Sequence, residues 1–346
     1  MKKMTRFFKV SGLLILGVFF LPKNTFSQTP ALKFKNHQFK IVQFTDFHWI
    51  VGNNFFRNGD DSTMSLMRYV ILKEKPDLVV LTGDNVVSPD AIAAWKEVTQ
   101  PFTDFKVPFL VAFGNHDTET DITKRQALSV IRSNPYNLTY DADTTLTGVG
   151  NCALPILDET GKKDKWVIYM FDSNAYSKDT LVSYYDWIHN DQIQWYRKQS
   201  AQYTRMNGRP LPSLAFFHIP LPEFSLIGHL KSTVGTMGEK RVGAPRINSG
   251  LFASFIEMKD ICGVFVGHDH NNDFAGVLDN ICLAYGRKTG FNAPYHEILE
   301  KGARVIKLYD NGKMFDSYIV TRSGHYLDFT FDQASGIRLV KDIISK

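Results

Sequence analysis

Seven side chains able to ligate a metal ion stand just beyond short apolar runs of the chain: Asp46 and His48, Asp84, Asn115, His218, and His268 and His270. The runs before them are rich in β-branched and aromatic residues, the composition of covered strands. Every donor is an oxygen or an imidazole nitrogen. That set suits borderline first-row ions such as Mn, Fe, Zn or Ni, and the lack of thiolates argues against a structural zinc site. Seven ligands exceed what one catalytic ion with an open position accepts. They divide between two ions if one carboxylate bridges. A pair of ions about 3.5–4 Å apart stabilises the attacking and leaving oxygens of an in-line phosphoryl displacement and lowers the pKa of bound water to about 7.

Taken singly, each motif has a plain structural reading. Asp46 and His48, two apart, leave the same face of extended backbone, yet a strand-end Asp often only satisfies turn amides. Gly83-Asp84 is as unspecific, and Gly114-Asn115-His116-Asp117 could be a Gly-Asn turn followed by a chance His. A lone His218 on an apolar strand is more often a hydrogen-bonded core residue. Gly267-His268-Asp269-His270 says more, because packing rarely needs two imidazoles beyond a glycine. The specific signal is the joint occurrence of all five at strand ends.

The elements that must position these residues alternate along the chain. Strands are expected at 39–45, 77–81, 109–113, 166–171, 213–217 and 261–266. Between them, Asp61/Ser62 can cap a helix with Met64, Met67, Val70 and Ile71 on one stripe, ended by Pro76. Ser88-Pro89 can open a second helix through Val98, closed by Pro101. Further helices are expected near 124–131, over 191–206, and from Ser249 to about Met258. The tail reads as strands at 274–278, 281–285, 304–309 and 314–321, with Asp310-Asn311-Gly312 as a hairpin turn. The remainder of 118–164 is irregular, and 228–243 is a long Gly-rich loop. This is an α/β pattern, in which ligands gather beyond the carboxyl ends of strands. No repeat or linker divides it, so one domain over residues 28–346 is expected.

Residues 1–27 read differently. Lys2, Lys3, Arg6 and Lys9 precede an apolar stretch at 10–21, and Thr25-Phe26-Ser27 offers small residues near a cleavage position. This is the pattern of a secretory signal peptide, with an apolar run too short to span a bilayer comfortably. The expected product is exported, periplasmic or secreted, with no transmembrane segment in the mature chain. The leader carries five of the 40 Lys/Arg and no acid, which leaves 35 basic against 35 acidic residues. That balance provides no basic field for a nucleic acid partner. Of three cysteines, Cys262 and Cys282 flank neighbouring predicted strands, where a disulfide and buried thiols are both open. Gly286-Arg287-Lys288-Thr289 lacks the upstream Gly of a phosphate-binding loop. Arg287 could meet a phosphate oxygen or lie solvated, and Asp269 and Asn271 could orient imidazoles or simply form a turn.

The ordered set Asp46-x-His48, Gly83-Asp84, Gly114-Asn115-His116-Asp117, His218 and Gly267-His268-Asp269-His270 resembles the calcineurin-like metallophosphoesterase superfamily. It is most similar to the small single-domain branch related to purple acid phosphatases, a branch that 217–224 and 285–291 also resemble. The likeness covers roughly residues 38–300. It implies a four-layer α/β/β/α sandwich of two mixed sheets with a dinuclear metal site at strand ends. One ion would be held by Asp46, His48, Asp84 and His270, the other by Asp84, Asn115, His218 and His268, with Asp84 as the bridge. His116 would be the general acid or charge stabiliser at the leaving-group oxygen. The implied substrate is a small-molecule phosphate ester, a monoester first and a cyclic-nucleotide or phospholipid-type diester as the alternative. A metal- or phospho-ligand-binding protein without turnover is the reading from another class, against which His116 speaks. Val87 departs from the pattern: purple acid phosphatases place a Tyr ligand there and protein phosphatases an Asp, so neither Fe(III) colour nor protein phosphatase activity is implied. Substrate choice is expected to reside in loops within 118–164, 173–209 and 228–246.

Overall fold

A computed structural model describes residues 31–52, 59–292, 297–312 and 314–340; the expected signal peptide lies outside the described residues. In chain order the elements are β1 (Gln38–Phe44), α1 (Gly59–Glu74), β2 (Leu78–Thr82), α2 (Ala91–Asp104), β3 (Phe109–Ala112) and α3 (Lys124–Ile131). There follow β4 (Cys152–Leu157), β5 (Asp164–Met170), α4 (Asn190–Asn207), β6 (Ser213–Phe216), α5 (Phe224–Ile227), α6 (Leu251–Met258) and β7 (Ile261–Val266). The last are β8 (Ala275–Leu278), β9 (Ile281–Tyr285), β10 (Gly302–Tyr309), β11 (Met314–Thr321), β12 (His325–Asp332) and β13 (Gly336–Leu339).

The strands form two sheets, ordered β13-β12-β11-β10-β1-β2-β3 and β4-β5-β6-β7-β9-β8. In the first, β1, β2 and β3 are parallel, and β10 to β13 extend the sheet antiparallel from β1. In the second, β5, β6, β7 and β9 are parallel, flanked by antiparallel β4 and β8. Both sheets are therefore mixed, as expected.

Strand side chains alternate between faces, and that alternation builds the layers. Leu78 and Val80 of β2 join Ile41, Ile168, Leu214 and Phe315 in a core between the sheets. Val79 and Leu81, one residue out of phase, pack with Leu66, Val70, Trp95 and Phe102 of α1 and α2. On the far side Val167, Tyr169 and Val264 pack against Ile193, Tyr196 and Phe255 of α4 and α6. Three apolar cores separate four layers, α/β/β/α. A strand buried on both faces must be apolar throughout, which is why these strands read as continuous runs.

Several local expectations are corrected. Helix α2 is capped by Asp90, whose side chain accepts from Ala93 N, while Ser88 Oγ accepts from Val51 N and Asp90 N. Pro101 does not end α2. Phe102, the next residue, is fully buried with its ring 4.7 Å from that of Phe109, and this packing offsets the single lost helical hydrogen bond. Gly250, in left-handed backbone, takes the capping position of α6 in place of Ser249. Strand β4 lies in the stretch read as irregular, where Pro155 is tolerated because β4 is an edge strand. Cys262 and Cys282 are not joined by a disulfide; both are buried in the core between the sheets, where burial pushes the Cys282 thiol up to about 12. Among the described residues no helix is long and apolar enough to cross a membrane.

Candidate metal centre

Because β1, β2 and β3 are parallel, and β6 and β7 are parallel, their carboxyl ends deliver side chains to one edge of each sheet. The two edges face one another. Asp46, His48 and His270 form one group of potential metal ligands, and Asp84, His218 and His268 form another, with ligand atoms in each within 4.8 Å of one another. Each group draws on both sheets. In the first, His48 Nε2 is 3.2 Å from His270 Nε2, which is 3.5 Å from Asp46 Oδ1. In the second, His218 Nε2 is 3.2 Å from His268 Nδ1 and 3.0 Å from Asp84 Oδ2. Two nitrogens each about 2.1 Å from a shared ion stand about 3.0–3.4 Å apart at octahedral to tetrahedral angles. The observed spacings fit.

Two buried oxygens test the fit independently. Asp84 Oδ2 is fully buried and faces both groups, 3.0 Å from His218 Nε2 and 3.9 Å from His48 Nε2, so imidazoles approach it from both. Asn115 Oδ1 is buried and unpartnered, while its amide nitrogen donates to Tyr176 Oη at 2.9 Å. An unsatisfied buried acceptor costs about 1–3 kcal/mol, so the Asn115 oxygen calls for a partner, and a cation would supply one. His218 Nδ1 donates to the Thr82 carbonyl at 2.7 Å, which fixes the tautomer and leaves Nε2 for a metal.

The backbone around the ligands is constrained. Asp46, His48, Asp84 and His268 adopt φ of 57°, 50°, 49° and 79°, a region costly for non-glycine residues. Hydrogen bonds hold them there. Asp46 N donates to Gly83 O at 3.0 Å and His48 N to Asp84 O at 2.9 Å, extending the β1–β2 pairing past the strands. Asp117 accepts from Gly114 N at 2.7 Å, Val86 N at 2.8 Å and Asn85 N at 2.9 Å, tying the loops after β2 and β3 together. Two glycines sit where the sheets meet. A Cβ on Gly83 would lie 2.4 Å from the His218 ring, and one on Gly267 would lie 2.0 Å from Thr45 Oγ1.

Burial depresses His48 and His268 to about 3, leaving neutral imidazoles suited to ligation. Burial works to raise Asp84, but His218, His48 and His116 outweigh it and hold its carboxyl well below the usual range. Burial also lowers His218, yet Asp84 and Asp46 prevail and push it up to about 9. A proton there takes the place between His218 and Asp84 for which a metal ion would compete. The ligands open onto a cavity of about 170 Å³, lined by Asp84, His116, His268 and His270 with Tyr185, Glu239 and Asp269.

Six of the seven ligand candidates thus fall into the two groups, Asn115 adjoins His116, whose backbone N–H donates to Asp84 Oδ1, and His116 lines the cavity. Arg287 does not: its guanidinium pairs with Asp273 and donates to Glu300 O, away from the ligands. Asp269 accepts from Tyr285 Oη at 2.6 Å and Gly243 N at 3.0 Å, and Asn271 joins Glu239 and Ile298 N, so both anchor loops beside the site. Sequence reading assigned no part to Glu119, Tyr176, Tyr185 or Glu239. They come from loops, and only tertiary structure brings them to the site.

The description "calcineurin-like phosphoesterase" belongs to the family model that matches residues 39–272. Over 316 residues the chain is 35% identical to probable inactive purple acid phosphatase 29 of Arabidopsis thaliana, covering 83% of this chain and 81% of that one. It is 30% identical over 278 residues to phosphatase DCR2 of Saccharomyces cerevisiae, covering 72% of this chain and 47% of that one. In structure it resembles a dimetal phosphatase from Danio rerio with a TM-score of 0.58 at 12% identity, covering 83% of this chain and 97% of that one, a likeness of fold. With the family model spanning the ligand-bearing strands and relatives matched over most of its length, the chain belongs to the calcineurin-like phosphoesterase family.

Proposed function

We propose that the protein is an exported, dinuclear metal-dependent phosphoesterase that hydrolyses small-molecule phosphate monoesters. The observation carrying this reading is the pair of buried three-residue groups, Asp46, His48 and His270 beside Asp84, His218 and His268, with Asp84, His268 and His270 lining an open cavity. Asp46, His48, Asp84 and His270 would hold one ion, and Asp84, Asn115, His218 and His268 the other. Bound there, the two ions supply Lewis-acid stabilisation of phosphoryl oxygens and acidify a water. The chain's own contribution is orientation and proton handling. His116 lines the cavity with Nδ1 turned to Glu119 at 2.7 Å, which leaves Nε2 to hand a proton to the leaving-group oxygen. The name of the Arabidopsis thaliana relative includes the word inactive. In this chain the complete ligand set together with His116 favours turnover over mere binding, since a binding site has no use for a leaving-group acid.

The test is hydrolysis of a chromogenic aryl phosphate monoester beside its bis-aryl diester. Chelator-treated protein is resupplied with Mn, Fe, Zn or Ni one at a time, with Asp84→Asn as control. Metal-restored monoester turnover, absent from the control, is the expected result. Turnover of the diester alone replaces the monoesterase reading with a phosphodiesterase. Two ions bound with neither ester cleaved overturns the hydrolase reading.

A further inference from the structure

We infer that Glu119 and Tyr176 are positioning residues that orient Asn115 toward the second ion and His116 toward the substrate, through one chain of hydrogen bonds anchored on a single carboxylate. This rests on the proposed function above and deepens it. The chain runs unbroken. Asn115 Nδ2 meets Tyr176 Oη at 2.9 Å, Tyr176 Oη donates to Glu119 Oε1 at 2.9 Å, and Glu119 Oε2 meets His116 Nδ1 at 2.7 Å. His116 N in turn donates to Asp84 Oδ1 at 2.8 Å, closing the circuit on the bridging candidate.

Polarity makes this more than a surface ion pair. An ionised carboxylate only accepts hydrogen bonds. Glu119 Oε1 therefore takes the Tyr176 proton, and Tyr176 Oη is left as an acceptor facing Asn115. Asn115 must present its NH₂ there, and its carbonyl oxygen is turned the opposite way. That oxygen is the buried one with no protein partner. By the same logic Glu119 Oε2 requires a proton on His116 Nδ1, so Nε2 is the ring atom free to exchange a proton with substrate. One anion thus sets the direction of both arms. Tyr176 is itself braced by Tyr185, stacked at 6.1 Å between ring centroids, and Tyr185 meets the His268 ring edge-on at 4.6 Å. The arms are separable: Tyr176 touches Asn115 directly and His116 only through Glu119, whereas Glu119 holds His116 itself.

Outer partners of metal ligands typically contribute about 10- to 100-fold in metal affinity. A positioned general acid contributes about 10²–10⁴ in rate, most where the leaving group is poor. The experiment titrates parent, Tyr176→Phe and Glu119→Gln with Mn²⁺ and with Zn²⁺ by calorimetry, then compares kcat and KM on an aryl and an alkyl phosphate. Glu119 is about half exposed and Tyr176 only partly buried, so both variants keep the fold. Tyr176→Phe is expected to weaken the second ion about 10- to 100-fold while leaving the aryl-to-alkyl rate ratio as in the parent. Glu119→Gln is expected to weaken it similarly and also to lower kcat on the alkyl phosphate at least about 10-fold more than on the aryl ester, with KM little changed. Metal affinities of both variants within about twofold of the parent overturn the inference, as does an unchanged rate ratio in Glu119→Gln. If the parent binds two ions and hydrolyses nothing, the hydrolase reading fails, and the calorimetric comparison still decides whether Glu119 and Tyr176 position Asn115.

Discussion

The two sheets bring unlike chemistry to the same edge. The ends of β1, β2 and β3 hold both candidate carboxylates, the amide and one imidazole, whereas the ends of β6 and β7 hold three imidazoles. Neither sheet alone assembles either three-residue group, since Asp46 and His48 need His270, and Asp84 needs His218 and His268. Away from this edge the sheets meet through apolar side chains such as Ile41, Val80, Leu214 and Phe315. At the edge they meet through polar contacts: His218 Nδ1 to Thr82 O at 2.7 Å, His268 N to Asp46 Oδ1 at 3.2 Å, and Gln43 Nε2 to Val266 O at 3.0 Å. An ion in either group would be a clamp between sheets, and its binding energy would count as folding energy.

The strongest way to break this arrangement is to remove the oxygen that faces both groups. Asp84→Asn is expected to abolish hydrolysis and to lower metal content from two ions toward one or none. The rate loss should exceed the roughly 100-fold typical of losing an outer partner. Initial rates with elemental analysis of the same sample check it, and undiminished turnover removes Asp84 from the centre. Chelation comes next. An ion present at about a thousand times its Kd stabilises by about 4 kcal/mol, so stripping the metals should lower the melting temperature by several degrees. A melting curve that does not move on chelation would mean that the native protein holds no ion tightly at these groups.

Gly83→Ala sharpens the comparison further. A Cβ at this position meets the His218 ring across the sheet boundary, and φ of 93° disfavours any side chain. Overpacking of this kind costs about 1–3 kcal/mol, and here it should also push His218 off its ligand position. Gly208 is the control. It has φ of 72° at the end of α4, and a Cβ there would meet nothing within 4 Å, so Gly208→Ala tests backbone strain alone. Gly83→Ala should lose both stability and metal affinity, Gly208→Ala stability only, as read by thermal melts and metal titration.

The same division explains what the sequence could and could not reveal. β2, β3, β6 and β7 were legible because a strand covered on both faces is a nearly unbroken apolar run, and a polar residue just past its end stands out, while β1 was legible from Phe39, Ile41, Val42 and Phe44 despite Lys40 and Gln43 between them. The ligands were legible for the same reason. Which imidazole joins which carboxylate was not, because pairing across sheets leaves no periodic trace; only the family resemblance suggested it. Pro101 misled because propensity describes an isolated helix, while Phe102 is held by tertiary burial. β12 and β13 were missed at a sheet edge where Tyr326, Asp328 and Arg338 interrupt the apolar pattern. Glu119 and Tyr176 gave no signal beyond a loop carboxylate and a loop aromatic, since their meaning lies in a contact between residues 57 apart in sequence.

The mildest test concerns Gln43, which lies on β1 facing the second sheet just beneath the ligands. Its amide nitrogen donates to Thr82 Oγ1 at 2.9 Å and to Val266 O at 3.0 Å, so it links neighbouring β2 and the opposing β7 at once. Its amide oxygen is buried without a partner, which already subtracts from what the residue contributes. Val266 O also accepts from Gly286 N at 2.7 Å and is not orphaned when Gln43 is replaced. Gln43→Leu should therefore destabilise by only about 1 kcal/mol, the net value of an ordinary hydrogen bond, in a denaturant melt of metal-free protein. The same difference should persist when metal is added, because an ion bound only to the native state stabilises parent and variant equally when its affinity for both is the same. A difference that grows with metal would mean that the variant binds the ions more weakly, so that the amide tether beneath the ligands also holds them in place.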